Sequence, residues 1–282
     1  NTPDGESANI TLGGDIDLGD LFGAGILSTR AAAALPIVIP EGKAITLDLN
    51  GCTVTVPYEN ESDKKHYYAF ENHGSLTIKD SKGDGEIIAR GNFNYGTMTL
   101  ESGIINACDG NGGYGVRNYE GAEFIMNGGS IITSLEDGDI PGAGYDACPV
   151  RVDEGATATI NGGVIDNVSN FTCDIDNYGT TIINDGTFTS IHTTIANKAS
   201  MTINGGSFTC NGLEGITAHA LWAAAGTTTI NGGTFDGKDN YNGFNVDASE
   251  GAIVNINGGE FLPVHSGSLY GEGTILVTGG EF

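Results

Sequence analysis

Ile160 Asn161 Gly162 Gly163, Ile203 Asn204 Gly205 Gly206, Ile230 Asn231 Gly232 Gly233 and Ile256 Asn257 Gly258 Gly259 are one phrase written four times. Met126 Asn127 Gly128 Gly129, Ile183 Asn184 Asp185 Gly186 and Val277 Thr278 Gly279 Gly280 are variants of it, and Leu100 Glu101 Ser102 Gly103 is a degenerate earlier copy. Two residues past the last glycine of each copy stand Ile105, Ile131, Ile165, Phe188, Phe208, Phe235, Phe261 and Phe282. Three residues before it stand Leu100, Met126, Ile160, Ile183, Ile203, Ile230, Ile256 and Val277. Two apolar columns therefore flank a turn. A repeated unit that cannot bury its own apolar residues buries them against the next copy, which is the logic of a solenoid.

The marker glycines Gly103, Gly129, Gly163, Gly186, Gly206, Gly233, Gly259 and Gly280 are spaced by 20 to 34 residues. That spread excludes a left-handed hexapeptide helix, whose coils are nearly constant in length. It fits an all-β solenoid with two or three short parallel strands per coil and one loop of free length. Val150 Arg151 Val152, Ile175 Asp176 Asn177 and Phe244 Asn245 Val246 read as the further strand upstream in each copy. Asn tolerates left-handed backbone and can bond the same Asn one coil away, while Gly supplies positive φ without a β-carbon clash. The Asn column is expected to be a structural ladder and not a ligand site.

Ile45 Thr46 Leu47 Asp48 Leu49 Asn50 Gly51 and Leu76 Thr77 Ile78 Lys79 Asp80 Ser81, followed by the Ile Asn Gly Gly x Phe coils, resemble the right-handed parallel β-helices of the pectin-lyase-like superfamily. Within it the chain is most similar to adhesin-like secreted and cell-surface proteins of gut anaerobes. The resemblance covers about residues 40 to 282 and rests on turn and core residues, so it speaks for the fold more than for an activity. It implies a right-handed single-stranded β-helix of about 9–11 coils. Residues 1–44 are expected to be an N-terminal capping region, with a short helix over Ser28–Ala34, and 45–282 the β-helix. Because Phe282 falls inside a core column, further coils are expected beyond it. The implied localisation is secreted or cell-surface.

Composition narrows the partners. The 282 residues include 46 glycines and 7 prolines, with no three-residue period, which excludes collagen. An apolar content of 39% excludes a disordered glycine-rich linker. With 36 acidic against 11 basic side chains, the formal charge of -25 opposes nucleic acid and anionic lipid. No apolar run approaches the roughly 18 residues of a membrane-spanning helix. A monomer is the expectation, with no nucleic-acid partner and no membrane insertion.

The five cysteines are odd in number and contain no CxxC. Cys148 and Cys173 stand at equivalent places in consecutive coils, about 4.8 Å apart, which permits a disulfide by distance. The alternative is a stacked, reduced pair, because in-register parallel neighbours seldom offer the required dihedral. The five histidines are scattered and suggest no triad or metal cluster.

Extra length enters repeatedly at one place in the coil: 108–113, 135–147, 167–172, 211–217, 237–243 and 263–267. Such loops crowd onto one edge of a solenoid, where repeat proteins place their binding face. That edge carries Asp109, Tyr114, Tyr145, Asp146 and Tyr241, and the strands beside it present Arg117, Arg151 and Asp176, with Tyr178 following. Arg117, Arg151 and Asp176 read either as a charge-neutralising ladder or as a groove floor that grips hydroxyl- or carboxylate-bearing chains. The expected recess has the 34-residue and 27-residue coils as walls and the 23- and 20-residue coils as floor.

The leading functional expectation is a non-catalytic, adhesin-like module that binds a polysaccharide or cell-surface glycan, or serves as a rigid stalk. The alternative is a polysaccharide lyase or glycoside hydrolase on the same fold. A lyase would use Arg117 or Arg151 with calcium held by Asp137, Asp139 or Asp176. A hydrolase would draw its two carboxylates from the Glu136–Asp146 loop and Asp176. No paired-aspartate strand motif of the galacturonase kind is present. An ice-binding face is a third reading, from the column Thr159, Thr202 and Thr229, interrupted by Ile125, Ile182 and Leu276.

Overall fold

The computed structural model describes residues 7–18, 36–56, 58–60, 65–107, 113–133, 148–168, 172–212, 217–238, 243–264 and 266–282. Their strands form three long, wholly parallel sheets of 11, 10 and 10 strands, and a small antiparallel pair joins Tyr58–Asn60 to Lys65–His66. The architecture is a right-handed parallel β-helix. One coil shows the course. Cys148–Val152 lies in the third sheet, Thr157–Ile160 in the first and Val164–Asn167 in the second, and Cys173–Asn177 then returns to the third beside Cys148–Val152.

Strands of four residues suffice because each contributes two inward side chains and the neighbouring coils complete the burial. In the first and second sheets the inward residues alternate with exposed ones, the period-2 pattern of a half-buried strand. Phe188, Phe208, Phe235, Phe261 and Phe282 stack face to face along the axis, with ring centroids 4.8 to 4.9 Å apart. That interval is the strand separation itself, so ring stacking and backbone pairing impose one register.

The Asn-Gly-Gly phrase forms the corner between the first and second sheets. Gly206 sits at φ 103°, and a β-carbon on Gly205 would come 2.6 Å from the Asn184 carbonyl oxygen of the coil beneath. Asn161, Asn184, Asn204, Asn231 and Asn257 each donate Nδ2 to the Oδ1 of the asparagine one coil earlier, at 2.7 to 2.9 Å. Glu101 accepts from Asn127 at one end, and Thr278 Oγ1 donates to Asn257 at the other. In the early coils aspartates do this work. Asp80 accepts from the backbone N–H groups of Gly51, Lys82, Gly83 and Gly85; burial raises its pKa, and these bonds outweigh that and lower it.

A second ladder lies inside, at the corner from the third sheet to the first. Asn72 donates to Asn94 Oδ1 at 2.8 Å and Asn94 to Asn118 Oδ1 at 2.6 Å. Val152 interrupts the row, which resumes as Asn177 donates to Asn197 Oδ1 at 2.7 Å and Asn197 to Thr228 Oγ1 at 2.8 Å. All five asparagines are fully buried.

Ser7–Thr11, Ile16–Asp17 and Ile37–Ile39 pair into the first, second and third sheets, so the region expected to cap the rod contributes strands to all three sheets. The helix expected over 28–34 lies outside the described residues. Cys148 and Cys173 are free thiols, and Cys148 Sγ donates to the Cys173 carbonyl at 3.2 Å, so the reduced alternative holds.

Candidate functional site

The outward faces of the three sheets are chemically unlike. In the described strands of the first and second sheets every aromatic side chain (Phe124, Phe188, Phe208, Phe235, Phe261) is buried in the core. On the third sheet Phe93, Tyr114, Trp222, Phe244 and Tyr270 occupy partly or fully exposed outward positions. Strand register explains the grouping. Phe93, Arg117, Arg151, Asp176, Ala196, Trp222, Asp247 and Tyr270 are successive members of one column. The connections of free length all join a second-sheet strand to a third-sheet strand in chain order.

At its centre runs a chain of five alternating charges. Arg117 Nε donates to Asp153 Oδ2 at 2.9 Å, and Arg151 Nε to Asp153 Oδ1 at 2.7 Å. Arg151 Nη1 donates to Asp176 Oδ2 at 3.0 Å, and Lys198 Nζ to Asp176 Oδ1 at 2.6 Å. Three cations hold two carboxylates, leaving one net positive charge in a chain of formal charge -25. Burial works against the charge on Arg117, Arg151 and Lys198, but the aspartate contacts outweigh it and raise all three pKa values.

Aromatic rings interleave with the charges. The Arg151 guanidinium lies 4.4 Å from the Tyr178 ring centroid and the Lys198 ammonium 4.3 Å, and Lys198 also bonds the Tyr178 hydroxyl at 2.6 Å. Arg151 and Lys198 come from the coils on either side of Tyr178, so cations flank that ring. Tyr119 stacks on Tyr95 at 4.3 Å and carries Arg117 at 4.6 Å, while Tyr95 also stacks on His73 at 4.8 Å. Burial, reinforced by a hydrogen bond with Tyr95, pushes the Tyr119 hydroxyl up to about 12. These tyrosines therefore offer ring edges and hydroxyls, not open ring faces. Trp222 differs: its Nε1 is anchored to Ser249 Oγ at 2.9 Å, and among the described residues no ring stacks on it.

A recess of about 290 Å³ opens here, lined by Tyr114, Cys148, Arg151, Thr172, Cys173, Asp176, His192, Thr193, Ala196, Lys198 and Trp222. It sits at a short connection from second to third sheet, with only Ile191 and His192 between Ser190 and Thr193. A larger apolar cavity of about 660 Å³ lies among Ile10, Leu18, Val38 and Phe70 at the first coils, away from these charges.

Of the residues singled out in the sequence, Tyr114, Arg117, Arg151, Asp176 and Tyr178 come together on this face. Asp109, Tyr145, Asp146 and Tyr241 lie outside the described residues, as do Glu136, Asp137 and Asp139. Asp176 has both oxygens bonded, Oδ2 by Arg151 and Oδ1 by Lys198. Among the described residues no group of three or more His, Cys, Asp or Glu side chains is placed to hold a metal. Asp153, Lys198, His192 and Trp222 were not anticipated; the column register, which pairs Asp176 with Ala196 and Ala196 with Trp222, would have found Trp222.

No family model, no curated protein and no solved structure matches this chain.

Proposed function

We propose that this chain is a non-catalytic, adhesin-like extracellular module that holds a glycan on the outward face of its third sheet. One observation carries the reading: among the described strands, the outward aromatic side chains and the charge chain share the third sheet's face, while those of the first and second sheets carry no outward aromatic. The recess has room for about one sugar unit, and Trp222, with the Lys198 ammonium 5.9 Å from its ring centroid, supplies an aromatic ring for stacking. Arg151 and Lys198 supply donors for sugar hydroxyls. Asp153 and Asp176, the carboxylates at the centre, are each tied to two cations, which favours retention over acid–base chemistry.

The test is a glycan array run with assays for reducing and unsaturated ends. Retention by the unmodified protein, weakened about tenfold or more by Trp222→Ala and by Arg151→Ala with no product formed, is the expected result. Product release that disappears with Arg151→Ala would replace this reading with a lyase or hydrolase. Retention unchanged in both variants would leave a stalk.

A further inference from the structure

One pair of side chains in the recess belongs neither to the charge chain nor to the aromatic rings. Cys148 and Cys173 both line it, almost fully buried and as free thiols. They stand two residues before Val150 and Ile175, which pair across neighbouring coils, so the thiols occupy one place in consecutive coils. The coil does not ask for cysteine there. Tyr114, Thr193, His219 and Phe244 fill the same place elsewhere in the column. Cys148 Sγ lies 3.2 Å from the carbonyl oxygens of both Val150 and Cys173. A hydrogen bond with the Cys148 thiol, then burial, hold the Cys173 pKa above the ordinary thiol range, so the pair is a dithiol at neutral pH.

Spacing limits what two such thiols can do. Equivalent atoms on successive coils recur at the strand separation of about 4.8 Å, as the phenylalanine rings do. A disulfide needs its sulfurs about 2.05 Å apart, so closing one would require both side chains to turn or the coils to leave their interval. One cation between the sulfurs requires far less. Two metal–thiolate bonds of about 2.3 Å laid end to end span about 4.6 Å, which is linear two-coordination. Zinc demands four ligands in a tetrahedron, and among the described residues no group of three or more His, Cys, Asp or Glu side chains is placed to hold a metal. Copper(I) is the soft ion that thiolates select and that two sulfurs in a line satisfy.

Charge agrees with that choice. Copper(I) between two thiolates carries one negative charge. Two cations, Arg151 and Lys198, line the recess against one carboxylate, Asp176, and leave one positive charge in a chain of formal charge -25.

We propose that Cys148 and Cys173 form a two-coordinate site for copper(I) at the wall of the recess. Binding replaces two S–H bonds with two S–Cu bonds and releases two protons. The metal arrives as copper(I), so no electron moves. The site does not rest on the glycan reading, because Trp222 belongs to a different column of the sheet.

The test titrates copper(I), under argon with ascorbate, into the reduced chain against a chromophoric copper(I) chelator. The tightest copper bound should show two sulfur neighbours and no others by X-ray absorption. Cys148→Ser and Cys173→Ser keep the size of the side chain and a hydrogen-bond donor. Each should weaken that copper roughly a hundredfold or more, since even residues behind a metal ligand are worth about 10–100-fold. Cys210→Ser removes a buried thiol outside the recess lining and should leave the affinity unchanged. Trp222→Ala should also leave it unchanged, so a failed glycan reading and a failed copper site are told apart. Undiminished affinity in either Cys148→Ser or Cys173→Ser, an equal loss in Cys210→Ser, or a shell of three or four neighbours would overturn the site.

Discussion

The two asparagine ladders use one side chain at one spacing and differ in what surrounds them. The row from Asn127 to Asn257 is exposed, and each of its amides points Nδ2 toward the start of the chain. The rows through Asn72, Asn94 and Asn118 and through Asn177 and Asn197 are buried and point Nδ2 the other way. Water can replace any lost bond in the first set. In the second it cannot, and the buried asparagines also accept from the backbone, as Asn94 Oδ1 does from Gly96 N. The conspicuous repeat thus marks where backbone conformation is demanding, and the less conspicuous row bears more of the stability.

The largest effect expected from this difference is at Asn94. Asn94→Ala strands the Asn72 amide, the Asn118 oxygen, the Glu123 carbonyl and the Gly96 N–H. Denaturant unfolding should show a loss of about 3 kcal/mol, since an orphaned buried group costs roughly 1–3 kcal/mol. That approaches the roughly 3–5 kcal/mol expected for Phe208→Ala in the ring stack. If Asn94→Ala proved no worse than Asn204→Ala, burial would not be what separates the ladders.

The exposed ladder and the Phe column were legible in the sequence because their residue types recur beside a fixed glycine. The buried ladder was not. Its asparagines are followed by His-Gly, Tyr-Gly, Tyr-Glu-Gly, Tyr-Gly again and Lys-Ala, and Val152 breaks the row, so the one phrase that recurs does so only twice and in coils that are not consecutive. The same reason hid most of the candidate site. Arg117, Arg151 and Asp176 could be aligned by counting, but their column continues through Ala196 to Trp222, which no composition or period relates to arginine. Register is a property of paired backbones, and a loop of free length in every coil conceals it from simple counting.

A second prediction sharpens the contrast between buried polar groups that have partners and those that lack them. Burial lowers His219 to about 4, and its Nδ1 has no partner. Its folded value lies below the ordinary value near 6.5, so its contribution is complete above about pH 6.5 and is lost as pH falls toward 4. The loss is at most about 3 kcal/mol. Asp174, fully buried, has the opposite sign: burial first, then Cys173 and Asp166, raise its value on folding, against a backbone hydrogen bond from Thr189 that lowers it. Its contribution is present at low pH and lost as pH rises from the ordinary carboxylate range through its raised value. Asp174→Asn should therefore be more stable than the unmodified protein at pH 7, with the gain shrinking on acidification. A His219→Gln variant should flatten the fall between pH 6.5 and 4. Equal pH profiles for all three proteins would mean that neither group is held in the state described.

Smaller again is Asn204→Ala, in the middle of the exposed row. It breaks the bonds to Asn184 and Asn231, both solvent-exposed, and should cost about 0.5–1 kcal/mol. A loss near 3 kcal/mol would show the exposed amides acting as a cooperative chain and would erase the distinction drawn between the ladders.

The smallest effect expected is at the end of that chain, and it tests polarity, not bond count. All its amides donate toward the start of the rod, so their dipoles add and the positive end lies at Asn127. Glu101 stands there in place of a further asparagine and accepts from Asn127 Nδ2 at 2.9 Å, putting a negative charge against the positive end. Glu101→Gln keeps an acceptor at the same place and removes only the charge. The expected loss is a few tenths of a kcal/mol at low ionic strength, vanishing as salt screens it. Asn118→Ala in the buried rows should show no such salt dependence, because no ion caps those amides. Should Glu101→Gln stabilise the protein at low salt, relief of the -25 self-repulsion would outweigh the dipole, and Glu101 would be a plain acceptor at a ladder end.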